Sequence, residues 1–161
     1  MKGYSRGFRP LLWSVCAAVA SSGLLLPTTL VLRFEWALPW RLPGAARIGV
    51  AALHATASFA LLALIGALWS IHMRAGWRRR RQRISGSLLV SAFVLLAVSA
   101  VGLYYLGDGG AADTTALLHV ALGLAVCLPL ALHTVRGRRY GAATAQPLRR
   151  RGTPRLSERP R

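Results

Sequence analysis

Acidic residues are scarce: the 161-residue chain carries 4 Asp/Glu against 21 Lys/Arg, for a formal net charge of +17. Charge of either sign makes up only 16% of residues, gathered into blocks with long, almost uncharged stretches between them. That distribution excludes a soluble enzyme built round one central core, whose cations would be spread along its length. Cysteine is limited to Cys16 and Cys127. Both lie within apolar stretches and read as small packing residues, not as a disulfide. Cys-x-x-Cys-His is absent, which rules out a covalently attached c-type haem. The arginines come without an aromatic-interleaved strand, a zinc signature or an amphipathic basic helix, so nucleic acid is excluded as a partner.

What the chain does have is apolar length. Hydrophobic residues make up 54% of it and mean hydropathy is +0.44. Four stretches stand out, from about Pro10 to Leu32, Ile48 to Met73, Ile84 to Leu106 and Thr115 to Val135. Each reaches the roughly 20 residues that a helix needs to cross a bilayer. They are too long and uniform for barrel strands, and backbone groups in lipid must pair internally, so helices are predicted. Lys2, Arg6 and Arg9 ahead of the first stretch suggest a signal peptide, but its apolar run is too long and it reads as a span. The expected fold is all-α: an integral membrane four-helix bundle over residues 1–140, followed by a basic, disordered cytoplasmic tail over 141–161.

Cation placement sets the orientation. Three cations precede the first span, six lie between Arg74 and Arg83, and nine lie between Arg136 and Arg161. The opposite side holds only Arg33, Arg41 and Arg47, together with Glu35, Asp108 and Asp113. The positive-inside rule then puts both termini in the cytoplasm. Trp36, Trp40, Trp77, Tyr104 and Tyr105 read as an interfacial aromatic belt. The spans contain no Asp or Glu, which argues against a proton-conducting carboxylate relay.

The four histidines are His54, His72, His119 and His133, and all lie in the second and fourth stretches. Those two helices cross in the same direction, each with one histidine toward its outer end and one toward its inner end. His54 and His72 are 18 residues apart, five turns at about 3.6 residues per turn, so they share a face. His119 and His133 are 14 apart, within about 40° of a common direction at about 100° per residue. The axial separations are about 27 Å and about 21 Å at 1.5 Å per residue. The inner pair, His72 and His133, should sit level, whereas the outer pair falls about 6 Å out of register unless the helices tilt or kink. Pro129 is the candidate kink.

Ionisable groups inside a bilayer are functional candidates by default, and neutral imidazole is a favoured axial ligand of haem iron. Two levels of paired histidines would hold two stacked b haems, with at least one at His72/His133. Ser58 and Gly123, each four residues after an outer histidine, leave room for a macrocycle, and Gly66, Gly23 and Gly102 are further small positions. Arg47, Arg74 and Arg136 are placed for the propionates. The halves also echo each other: Ala51-Ala52-Leu53-His54 against Ala116-Leu117-Leu118-His119, with His72 and His133 each leading into arginines. A duplicated two-helix unit is expected.

On these histidines the chain resembles the small prokaryotic di-haem b-type membrane cytochromes, the cytochrome b561-like four-helix proteins, over roughly residues 10–140. Many of those relatives carry a ligand on the first helix, which has no histidine here; the two-and-four placement is nearer that of respiratory cytochrome b. The resemblance implies a bacterial inner membrane protein that moves electrons between a quinol or other reductant and a redox partner protein across the membrane. It also implies a role as the membrane subunit of an oxidoreductase or larger complex. Two other classes fit the same residues: a cofactor-free scaffold or assembly subunit whose histidines only join helices, and a protein binding a chlorophyll-type pigment through one histidine per pigment.

Overall fold

The structure, a computed structural model, describes residues 5–27, 42–80 and 82–150, with residues 70, 71 and 140–150 described by backbone alone. Helix α1 spans Phe8–Leu25 and α2 spans Gly44–Leu68. A π-helical turn, Trp69–Met73, joins α2 to the short α3, Arg74–Arg78. Helices α4, Arg83–Tyr105, and α5, Gly110–Arg150, complete the chain. All described regular structure is helical, and four segments are long and apolar enough to cross a membrane: Phe8–Leu25, Gly44–Leu68, Arg83–Tyr105 and Gly110–Arg139.

Several boundaries differ from the sequence reading: α1 ends at Leu25 and α2 starts at Gly44. Helix α5 starts at Gly110, which brings Asp113 into its first turn, where a carboxylate complements the helix dipole. It also continues past Tyr140 to Arg150, into the segment expected to be a structureless tail. Residues 28–32 of the first expected span, Arg33, Glu35, Trp36, Trp40, Arg41, Arg81 and the tail from 151 onward lie outside the described residues.

The connections are economical. Gly107 (φ 63°) and Gly109 (φ 132°) carry the left-handed geometry of the α4–α5 turn, which costs little without a β-carbon. Between α3 and α4, Arg80 (φ 53°) and Gln82 (φ 52°) adopt the same region as non-glycine residues. That turn is closed by Arg83, whose Nε and a terminal guanidinium nitrogen donate to the Trp77 carbonyl at 3.0 and 2.7 Å. The Arg83 guanidinium also lies 5.0 Å from the centre of the Trp77 ring, a cation–π arrangement.

The helices pack as two hairpins. Close backbone approach is concentrated between α1 and α2 and between α4 and α5, and contact between the hairpins is sparse. Ser22, near the end of α1, meets His54, in the first half of α2. Likewise Ser99, late in α4, meets His119, early in α5. Both hairpins are therefore antiparallel, which leaves α2 and α5 parallel as expected. Almost none of the apolar surface is internal: at most 11% of any span is buried within the protein. Side chains such as Phe59 (71% exposed) and Val98 (64% exposed) face outward, as they do where lipid replaces a hydrophobic core. Among the described residues the most buried side chain is polar: Ser22, 2% exposed.

Candidate functional site: two levels of paired histidines

The histidines of α2 meet those of α5, level by level. His54 and His119 form the first level, with ring centroids 6.4 Å apart and ring planes at 82°. His72 and His133 form the second, 6.1 Å apart at 72°. Both pairings expected from sequence are present, and the 6 Å stagger of the outer pair is absent. Part of the reason is the π turn. The Arg74 N–H bonds the Trp69 carbonyl five residues back, so one residue is absorbed in a widened turn next to His72. This removes about one helical rise of 1.5 Å from the α2 side.

The separations can be tested against a metal held between the rings. A metal–imidazole bond of about 2.0–2.1 Å plus a ring radius of about 1.1 Å on each side sets the centroids of two trans ligands about 6.3 Å apart. Both levels match within a few tenths of an ångström. The same spacings, at interplanar angles of 82° and 72°, also suit direct edge-to-face contact between the rings. Among the described residues no three His, Cys, Asp or Glu come together. The imidazoles meet only in twos, a donor set that suits a metal whose other ligands belong to a macrocycle.

Helices α1 and α4, which lack histidine, supply the partners that orient the rings. His54 Nδ1 lies 3.2 Å from the Val19 carbonyl and 3.1 Å from Ser22 Oγ. A carbonyl can only accept, so Nδ1 carries the proton and Nε2 keeps its lone pair. Ser22 agrees, because its own hydroxyl proton goes back to the Ala18 carbonyl. His119 Nδ1 lies 2.8 Å from Ser99 Oγ, and Ser99 donates to the Leu96 carbonyl at 3.0 Å. Ser99 therefore accepts from His119 as well. At the first level both rings are thus fixed through Nδ1–H, with the proton-free nitrogen at Nε2.

His133 is held differently. Its Nδ1 is 3.0 Å from Ser85 Oγ and 3.0 Å from the Gln82 amide nitrogen when that amide is oriented to satisfy all its neighbours. In that orientation Gln82 also donates to the His133 carbonyl at 3.1 Å and accepts from the Gly137 N–H at 2.9 Å. His72, on the π turn, has an exposed ring whose neighbour across the bundle is His133.

Glycine makes the close approaches possible. A β-carbon at Gly23 would fall 2.9 Å from His54 Cε1, and one at Gly102 would fall 3.0 Å from Thr115 Cγ2. A β-carbon at Gly66 or Gly123 would meet nothing within 4 Å. Ser58 is half-buried. Arg47, Arg74 and Arg136 are exposed: Arg47 sits in the first turn of α2, Arg74 directly follows the π turn, and Arg136 lies three residues after His133. Sequence reasoning missed Val19, Ser22, Gln82, Ser85 and Ser99. A usable signal was the pairing of serine with glycine inside apolar runs, Ser22-Gly23 and Ser85-Gly86. Comparison of the chain with protein-family models, with curated proteins and with solved structures gives no match.

Proposed function

We propose that this protein carries electrons across a membrane on two b-type haems, ligated by His54 with His119 and by His72 with His133. The observation that carries the reading is the recurrence of one centroid spacing, 6.4 and 6.1 Å, at two levels of the same helix pair. Bound there, the haem supplies a one-electron couple. Everything else falls to the chain. His54 with His119 and His72 with His133 would hold the group through Nε2. The Nδ1–H bonds to Val19, Ser22 and Ser99 hold the rings in place and raise their basicity. Lipid-facing apolar helices exclude water, and Arg47, Arg74 and Arg136 are the cations available to propionates at the two ends. The reading includes a multi-pass protein of a bacterial inner membrane, with both termini cytoplasmic by the distribution of arginine. It also includes a quinol or another reductant as donor, and a partner protein or complex as acceptor.

The test is an absorption spectrum of the purified full-length protein, recorded oxidised and then reduced, with haem extracted and counted. Two haems per chain and a sharp α band on reduction are expected. His54→Ala and His133→Ala should each remove one. A visible region without bands would replace this reading with a scaffold, and red absorption with a pigment-binding protein.

A further inference from the structure

The two levels are built from the same residue type but are not equally ready for a ligand. At the first level every acceptor near Nδ1 forces the proton onto that atom. Val19 offers a carbonyl, and Ser22 and Ser99 have spent their hydroxyl protons on backbone carbonyls. At the second level the groups around His133 Nδ1 can donate. The Gln82 amide has two protons, one directed at the His133 carbonyl at 3.1 Å and one at Nδ1 at 3.0 Å, while its oxygen accepts from Gly137. The Ser85 hydroxyl, 3.0 Å from the same nitrogen, reaches only a longer alternative, the Gln82 carbonyl at 3.3 Å. With the Gln82 amide proton directed at it, Nδ1 accepts and the proton moves to Nε2, the atom that ligation requires to be bare.

We infer that Gln82 is a positioning residue that holds His133 in the Nε2–H form, so that the first level binds haem before the second. The loading order rests on the haem reading above; the tautomer does not. Gln82 suits the role structurally. Its left-handed backbone at the start of α4 turns the side chain onto α5, where its amide clamps the turn between the His133 carbonyl and the Gly137 N–H. Loading the second level then requires exchange of one hydrogen bond at His133, worth about a two- to tenfold difference in affinity by the usual net value of such a bond.

The experiment has two arms on the full chain in nanodiscs. In the haem-free protein, ¹⁵N NMR of the imidazoles should report Nδ1–H for His54 and His119 and Nε2–H for His133. Gln82→Glu places an acceptor in the same position and should convert His133 alone to Nδ1–H; Gln82→Met, which cannot donate, should do so with Ser85 as acceptor. Titration with hemin should give two unequal steps in the wild type, the weaker lost in His133→Ala, and nearly equal steps in Gln82→Glu. Nδ1–H at His133 in the wild type, or equal steps there, overturns the inference. Failure of hemin to bind at either level would overturn the haem reading and with it the loading order, while the NMR arm still decides the tautomer.

Discussion

Gly23 offers the sharpest quantitative test, because its counterpart Gly86 provides a matched control. A methyl group at Gly23 would sit 2.9 Å from His54 Cε1, whereas one at Gly86 would sit 4.0 Å from His133 Cε1. Ordinary contact begins near 3.4 Å, so Gly23→Ala must move the His54 ring by about 0.5 Å, more than the tolerance of about 0.2 Å in a metal–ligand distance. Overpacking of this kind costs about 1–3 kcal/mol, a loss of about 5- to 150-fold in affinity at 1.4 kcal/mol per tenfold. Helix propensity works the other way, since alanine in a helix interior is better than glycine by about 0.5–1 kcal/mol. Hemin titration of the two alanine variants reads the difference. Gly23→Ala should weaken only the step that depends on His54 and His119, and Gly86→Ala should leave both steps as in the wild type. Equal behaviour of the two variants, or an undisturbed first step in Gly23→Ala, would refute the spacing argument.

Other perturbations address the remaining parts. Ser99→Ala removes the acceptor for His119 Nδ1–H and should lower first-level affinity about 10- to 100-fold, the usual cost of losing an outer-shell partner, measured by the same titration. Deleting Trp69 should return the π turn to ordinary helix with His72 still facing His133, because that turn already absorbs one residue; the reduced-minus-oxidised spectrum should then keep both contributions, and loss of the one that depends on His72 would mean that the π geometry itself places the ring. For orientation, with Cys16 and Cys127 replaced by serine, a membrane-impermeant maleimide should label Asp108→Cys from outside intact cells and Arg79→Cys only after lysis. The reverse pattern would invert the proposed topology.

The sequence made the spans and the histidine pairing legible for a simple reason. Both depend on long-range order along single helices: about twenty apolar residues for a crossing, and a fixed angular step that puts residues 18 apart on one face. The existence and number of the four apolar helices were therefore legible, though not the ends of α1 and α5, and His54–His119 and His72–His133 could be paired without coordinates. What escaped was set by single hydrogen bonds between helices. Ser22, Ser85 and Ser99 look like any small residues in an apolar run until α1 and α4 are docked on their partners. The π turn at Trp69–Met73 has no marker in local propensity, yet it supplies part of the register that simple counting left short. Gln82 was hidden for another reason. It lies in a cationic loop, where an amide between arginines reads as solvent-facing, and only its left-handed backbone turns it toward α5.

The same arrangement explains why binding and stability should be linked here. In lipid, helices gain nothing from burying apolar faces against one another, and association falls to small-residue packing and hydrogen bonds. Within each hairpin those are present: Gly23 against His54, Gly102 against Thr115, and the serine–histidine bonds. Between the hairpins close approach is sparse, and the meeting of the rings at two levels is the principal polar connection among the described residues. A ligand that bonds one histidine from each hairpin therefore adds its free energy mainly to the junction between them. With ligand at 100 times its dissociation constant the gain is about 2.7 kcal/mol per site. The haem-free protein should accordingly lose the α2–α5 junction first on heating, with both hairpins still helical. A spin-label pair on α2 and α5 would separate below the temperature at which circular dichroism is lost, and saturating hemin would bring the two transitions together. Coincident transitions in the haem-free protein would mean that contacts other than the histidines hold the hairpins together.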